Sequence, residues 1–267
     1  MFDELFAKTF LLVAGMLAIT TVTARINKAY ETLWEAIFTI GGTFVFLFAI
    51  TFYSDIFPLN IILVGIFSAI VGWSLGPTIA YIGYQFKLKK YLKKHTIKSK
   101  KDSDKKLIYY RETDSGEIDV IDEKEWRQII IAFESEIVEG NPYSKEWQNI
   151  VFQTMSATTL AILATASLVF LTNIDFSFLG GFLFIALILL IIVSLLNYFI
   201  FKSRFLSLLK AYFGVIIFTL YLIFDFDRLR NAKQAGDSEW STAIDIAVNL
   251  YLDIINLFLY LLEIFAE

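Results

Sequence analysis

Apolar residues in this chain fall into long uninterrupted runs, separated by short polar knots and one long charged stretch. Phe57–Phe86 is 30 residues without a charge, Trp147–Ile174 is 28 and Phe176–Phe201 is 26. Each exceeds the roughly 18–20 residues that a helix needs to cross hydrocarbon. None alternates with a period of two, so barrel strands do not fit. With no water to satisfy the backbone, each run must be helical. The pattern predicts seven spans: residues 9–24, Leu33–Tyr53, Phe57–Tyr84, Ile150–Leu171, Phe176–Ile200, Leu206–Phe224 and Ala243–Phe265. The fold class is an all-α polytopic membrane protein with seven transmembrane helices. A small α+β insert lies between the third and fourth. Residues 1–84 hold the first three spans, 85–146 the insert, and 147–267 the last four.

The insert has its own pattern. "KLKKYLKKHTIKSKKDSDKK" carries ten lysines from Lys87 to Lys106. "LIYYRETDSGEIDVI" then places two β-favouring runs around Thr113–Gly116, which reads as a hairpin. In "DEKEWRQIIIAFESEIVEG", Asp122 suits an N-cap, Glu125 completes a capping box, and Gly140 suits the C-terminal end. Trp126, Ile129, Ile130, Phe133 and Ile137 recur at helical spacing and can cover the hairpin. The expectation is a ββα module.

Composition agrees with the pattern: 57% of the 267 residues are hydrophobic. The absence of cysteine excludes disulfides, thiolate nucleophiles and thiolate metal sites. The net charge of −4 says little about partners, because the charges are segregated. The N-terminal "MFDELFAKTFLLVAGM" has acids and no basic opening, so it reads as part of the first span rather than as a cleaved signal peptide. Lysine and arginine favour the odd connections: Arg25 and Lys28, the lysine run, then Lys202 and Arg204. The second and fourth connections have none, so the N-terminus is expected outside and the C-terminus inside. One loop dissents, since Arg228, Arg230 and Lys233 lie in the sixth connection beside four acids. Beside a membrane, Lys87, Lys89, Lys90, Lys93 and Lys94 are expected to meet anionic headgroups. Without interleaved stacking aromatics they do not suggest nucleic acid. A protein partner for the insert has no signature.

The candidate chemistry is acidic. Asp245, Asn249, Asp253, Asn256 and Tyr260 are spaced 4, 4, 3 and 4, one stripe of the seventh helix. A polar stripe on a membrane helix faces the bundle interior or a wet cavity. Asn249 and Asn256 read either as cavity lining or as interhelical hydrogen-bonding groups. Asp225 ends the sixth apolar run, either in interfacial water or as partner to Asp253. Asp227 and Arg228 follow it and suggest a local ion pair.

"DFSFLGGFLF" (Asp175–Phe184), the Phe224–Asp225 pair and "LYLDIINLFLYLL" (Leu250–Leu262) resemble the transmembrane Bax-inhibitor-motif family, whose bacterial members have seven helices. "VGIFSAIVGWSLGPTI" is similar to that family's third span. The resemblance implies that Asp225 and Asp253 form a hydrogen-bonded pair, and it implies a pH-sensitive calcium leak across a membrane. Two carboxylates sharing a site in low dielectric cannot both ionise cheaply, so they share a proton. Without that proton, two adjacent negative charges would attract a hard divalent cation such as calcium. Calcium is then a transported ion rather than a cofactor, and no cofactor is expected. The large insert departs from the family pattern. So does "ITFYSDIF", which lacks the arginine some members place at the end of the second helix; Arg228 is a local substitute.

Enzymatic chemistry is not expected. The single histidine, His95, sits in the lysine run, and no Gly-x-Gly-Asp motif surrounds either aspartate. Gly41–Gly42 and Gly180–Gly181 suit close packing, and no phosphate-binding motif is present. The expected function is a calcium or other cation leak channel in a prokaryotic cytoplasmic membrane. A proton-coupled transporter using the same acids, and a non-conducting scaffold recruiting a partner through the insert, remain open alternatives.

Overall fold

A computed structural model describes residues 4–101, 107–112 and 118–267. The turn expected at Thr113–Gly116, together with Lys105 and Lys106, lies outside them. In chain order the elements are α1 (Glu4–Ile26), α2 (Leu33–Phe52), α3 (Leu59–Lys94), β1 (Ile97–Lys101), β2 (Leu107–Glu112), β3 (Ile118–Val120), α4 (Glu123–Glu139), α5 (Ser144–Leu171), α6 (Leu179–Leu196), α7 (Arg204–Gln234) and α8 (Trp240–Phe265). A π-helical turn at Asn197–Phe201 extends α6. Seven of the eight α-helices among the described residues are long and apolar enough to cross a membrane, and α4 is the exception. The chain divides into two compact units, Met1–Ala80 with Gln153–Phe265 and Tyr81–Phe152 with Ala266–Glu267.

The first unit is the helical bundle. Its central element is α8, which packs most extensively on α7 and then on α1. Tyr251, Leu250, Ile244 and Leu257 of α8 are fully or almost fully buried. The Tyr251 hydroxyl lies 2.6 Å from Thr20 Oγ1, and Thr20 donates to the Ser68 carbonyl at 3.0 Å. One polar chain thus ties α8, α1 and α3 together, as a bundle in hydrocarbon requires. At the periphery, Phe38 and Phe52 of α2 are 73% and 80% exposed. Such a surface is stable only against lipid tails.

Two glycines set the α1–α3 spacing. A Cβ on Gly72 would lie 2.5 Å from the Thr20 carbonyl oxygen, and one on Gly76 would lie 1.8 Å from that of Asn27. Glycines four apart let two backbones touch, which is how helices associate where lipid removes the hydrophobic drive. Gly76→Ala must push the helices apart, at an expected cost of about 1–3 kcal/mol. Thermal unfolding in detergent checks this. An unchanged melting temperature would show that the close approach contributes nothing.

The second unit contains the insert. Its sheet has order β1-β2-β3 with both pairings antiparallel, Ile97 opposite Arg111 and Tyr110 opposite Val120. The expected ββα module is therefore βββα, because part of the lysine run is a strand. The first half of that run continues α3 as helix to Lys94. As expected, Asp122 caps α4, its Oδ1 accepting from Glu125 N at 2.7 Å. The Glu125 carboxylate is taken by Arg111 of β2 at 2.6 Å. Phe133 and Ile129 of α4 are buried against Tyr91, Ile97 and Ile121, and Trp126 stacks on Tyr109 at 3.8 Å. The lysines are partly neutralised: Lys90 meets Glu146 at 2.6 Å, Lys94 meets Glu136 at 2.8 Å and Lys98 meets Glu112 at 2.5 Å. The hydrogen bond from Lys94 holds the Glu136 carboxyl below its ordinary range.

Candidate functional site

The site is built where α7 turns back into α8. The sequence suggests that the sixth span stops at Phe224, but α7 continues through the charged stretch to Gln234. The connection is then only residues 235–239, and Gly236 makes its turn with φ of +78°, a conformation that favours glycine. Asp237 starts the return. It accepts from Glu239 N at 2.9 Å and from Thr242 Oγ1 at 2.7 Å, and these bonds hold its carboxyl low. So short a connection forces α7 and α8 to run antiparallel side by side, placing the acids of one opposite the acids of the other.

Asp225 and Asp253 are 2% and 5% exposed. Both line one cavity of about 540 Å³ between α6, α7 and α8. Asp225 is thus not in interfacial water. The two carboxyl groups, one from α7 and one from α8, face the same cavity. Asp253 Oδ2 is buried with no hydrogen-bond partner among the described residues. An oxygen in that state is costly unless something reaches it. Asn249, Asn256 and Tyr260 line the same cavity, so three members of the expected stripe join Asp253 there. Asn249 and Asn256 do not act as interhelical groups through their amide nitrogens, which bond back to Asp245 O at 3.0 Å and Leu252 O at 2.8 Å on their own helix. Ser194 of α6 and Tyr221 of α7 also line the cavity. Sequence reading missed both, because a lone hydroxyl in an apolar run carries no spacing signal.

The arginines pair differently from the expected Asp227–Arg228 contact. Arg228 Nη1 donates to Asp225 Oδ1 at 3.3 Å, and its Nη2 donates to Asp245 Oδ2 at 2.5 Å. Asp227 pairs instead with Arg230. Consecutive helical residues point about 100° apart, whereas residues three apart are neighbours. Arg228 therefore reaches the acid that the resemblance would have a second-helix arginine reach. Arg230 also donates to three carbonyls, Val169 in the last turn of α5 at 2.8 Å and Thr172 and Ile174 of the α5–α6 connection at 2.9 Å and 2.6 Å. Asp227 Oδ2 accepts from Phe176 N and Asn231 Nδ2, each at 3.2 Å. This buried network fixes the connection to α7 immediately beside Asp225.

Among the described residues there is no cluster of three or more acidic, histidine or cysteine side chains able to hold a metal ion. Two carboxyls fall short of the six to eight oxygens of a resident calcium site.

The family match falls on the α5–α8 segment that carries this site. Residues 143–267 match the family described as "Inhibitor of apoptosis-promoting Bax1". This segment is Bax-inhibitor-like. Over 119 residues the chain is 36% identical to Protein LIFEGUARD 4 of Arabidopsis thaliana, covering 43% of this chain and 46% of that protein. It is 37% identical over 116 residues to the Golgi anti-apoptotic protein of Vaccinia virus (strain Lister), with the same coverage. It is 39% identical over 101 residues to the inner membrane protein YbhL of Escherichia coli (strain K12), covering 36% of this chain and 43% of YbhL. The chain thus spans under half the length of each relative. Both cavity aspartates and both arginines belong to the Bax-inhibitor-like segment. With seven helices long and apolar enough to cross a membrane, the protein is an integral membrane protein whose α5–α8 segment is similar to the Bax-inhibitor family.

Proposed function

We propose that this protein is a pH-sensitive leak path for calcium or another cation, with Asp225 and Asp253 as both proton sensor and part of the path. The observation that carries the reading is the convergence of two buried carboxyls, from two different helices, on the wall of one 540 Å³ cavity. With one proton between them the pair bears a single charge, which Arg228 offsets from one side. Losing the proton places two negative charges in low dielectric, and the cheapest relief is a cation. The unpartnered Asp253 Oδ2 is an oxygen with no protein donor to compete with such a cation. The process is conduction, and no catalytic step is assigned.

Calcium entry into proteoliposomes tests the reading. Passive flux that changes with pH supports it. Flux that appears only with an imposed proton gradient would make the protein a proton-coupled transporter. No flux of any ion at any pH would leave the scaffold role.

The site of action in this proposal is a prokaryotic cytoplasmic membrane; YbhL, the relative from Escherichia coli, is an inner membrane protein by its own name. Lysine and arginine bias places the insert in the cytoplasm and the N-terminus outside. Lys87, Lys89, Lys90, Lys93 and Lys94 then meet anionic headgroups in competition with Glu146 and Glu136. The chain has no cysteine, so single cysteines report orientation cleanly. In intact cells an impermeant maleimide should label Ser177→Cys and spare Ser99→Cys. The reverse pattern would invert the topology.

A further inference from the structure

The polar stripe of α8 does not stop at Tyr260. Glu263 follows three residues later, and it is paired across the helix interface with Lys210 of α7 at 3.6 Å. Ser207 donates to the same carboxylate at 3.1 Å. The Lys210 ammonium lies 5.7 Å from the centre of the Tyr260 ring. That ring is pressed against bare backbone, since a Cβ on Gly214 would fall 2.5 Å from it, and it lies parallel to Phe218 at 5.8 Å. Tyr260 lines the cavity, so the Lys210–Glu263 pair sits immediately behind it.

The placement repeats at the other end. Arg228 comes 18 residues after Lys210, and Glu263 comes 18 after Asp245. Eighteen residues are five helical turns, about 27 Å. Each helix therefore returns to the same face. The Arg228–Asp245 and Lys210–Glu263 pairs close the two ends of a single α7–α8 seam, with the cavity between them. The Lys210–Glu263 pair is the more enclosed of the two, its side chains 18% and 32% exposed against 37% and 59% for Arg228–Asp245.

We infer that Tyr260, Lys210 and Glu263 form a second, charged closure of the path, at the opposite end from Arg228, which sets which charge may pass. The ring is the plug, Lys210 holds it from behind and repels cations, and Glu263 holds Lys210 and offsets that repulsion. The inference rests on the conduit reading for its role, but closure can be read without any ion flux.

The probe is Asn256→Cys, one turn from Tyr260 on the cavity wall, in nanodiscs that leave both faces open. Its modification by a cationic and an anionic methanethiosulfonate is followed in an otherwise unchanged protein. In that background Lys210→Met/Glu263→Gln, and separately Tyr260→Ala, should each raise the rate at least tenfold. Lys210→Met alone should favour the cationic reagent, and Glu263→Gln alone the anionic one. Size-exclusion profiles matching the parent establish folding. If Tyr260→Ala fails to fold, the charge variants carry the test. Unchanged rates and unchanged charge preference would overturn the closure. Absence of calcium flux in wild type, with these rate changes present, would instead overturn the conduit reading and leave the closure standing.

Discussion

Arg230→Met should destabilise the bundle by about 3–5 kcal/mol, because it strands a charge rather than trimming a surface. Asp227 is 1% exposed, and its ion-pair partner is Arg230. The same guanidinium satisfies three carbonyls at the end of α5 and in the α5–α6 connection, and these would also lose their donor. Arg230→Lys should recover only part of the loss, since one ammonium cannot fork to three carbonyls and a carboxylate. Asp227→Asn added to Arg230→Met should recover the part lost to the stranded carboxylate but not the part lost at the three carbonyls, because only the first belongs to the ion pair. Thermal unfolding in detergent measures all four proteins. A change below about 1 kcal/mol for Arg230→Met would show that water already reaches this network.

The spans were readable from their apolar runs, three of them charge-free over 26 to 30 residues, which have no other stable outcome in lipid. Their ends were not. Asp225, Asp227, Arg228 and Arg230 look like the polar end of a span, yet they lie within α7 because each charge has a partner. Partnered charges neither break a helix nor pull it into water. Strand β1 was hidden for a similar reason: lysines dominate Ile97–Lys101, and only its pairing with β2 makes it a strand. On α8 the stripe was visible from spacing alone, and it brings Asn249, Asp253, Asn256 and Tyr260 to one cavity. Which acid meets which arginine was not visible, because it depends on rotation about α7 and on the depth at which α8 returns. Gly72, Gly76 and Gly214 gave no warning either, since close approach is a property of two helices rather than of one.

The second large effect belongs to the paired acids. Asp253→Asn keeps the shape and a hydrogen-bonding group but removes one of the two carboxyls proposed to share a proton. Asp225 then faces Arg228 alone and titrates as a single group. Asp225→Asn does the converse, leaving Asp253 with an amide, and frees Arg228 to bind Asp245 only. Either change should abolish or displace the pH dependence of flux. The double variant should add little to either single, as expected of two residues forming one titrating unit. Were Asp253 merely structural, Asp253→Asn would lower stability and Asp225→Asn would be close to silent.

Calcium flux into proteoliposomes between about pH 5 and pH 8, for wild type, Asp225→Asn, Asp253→Asn and the double variant, tests the central claim most directly. The account predicts a pH-dependent wild type and three variants that share one flattened or displaced profile while remaining folded. A well-folded Asp225→Asn protein with the wild-type pH profile would contradict it.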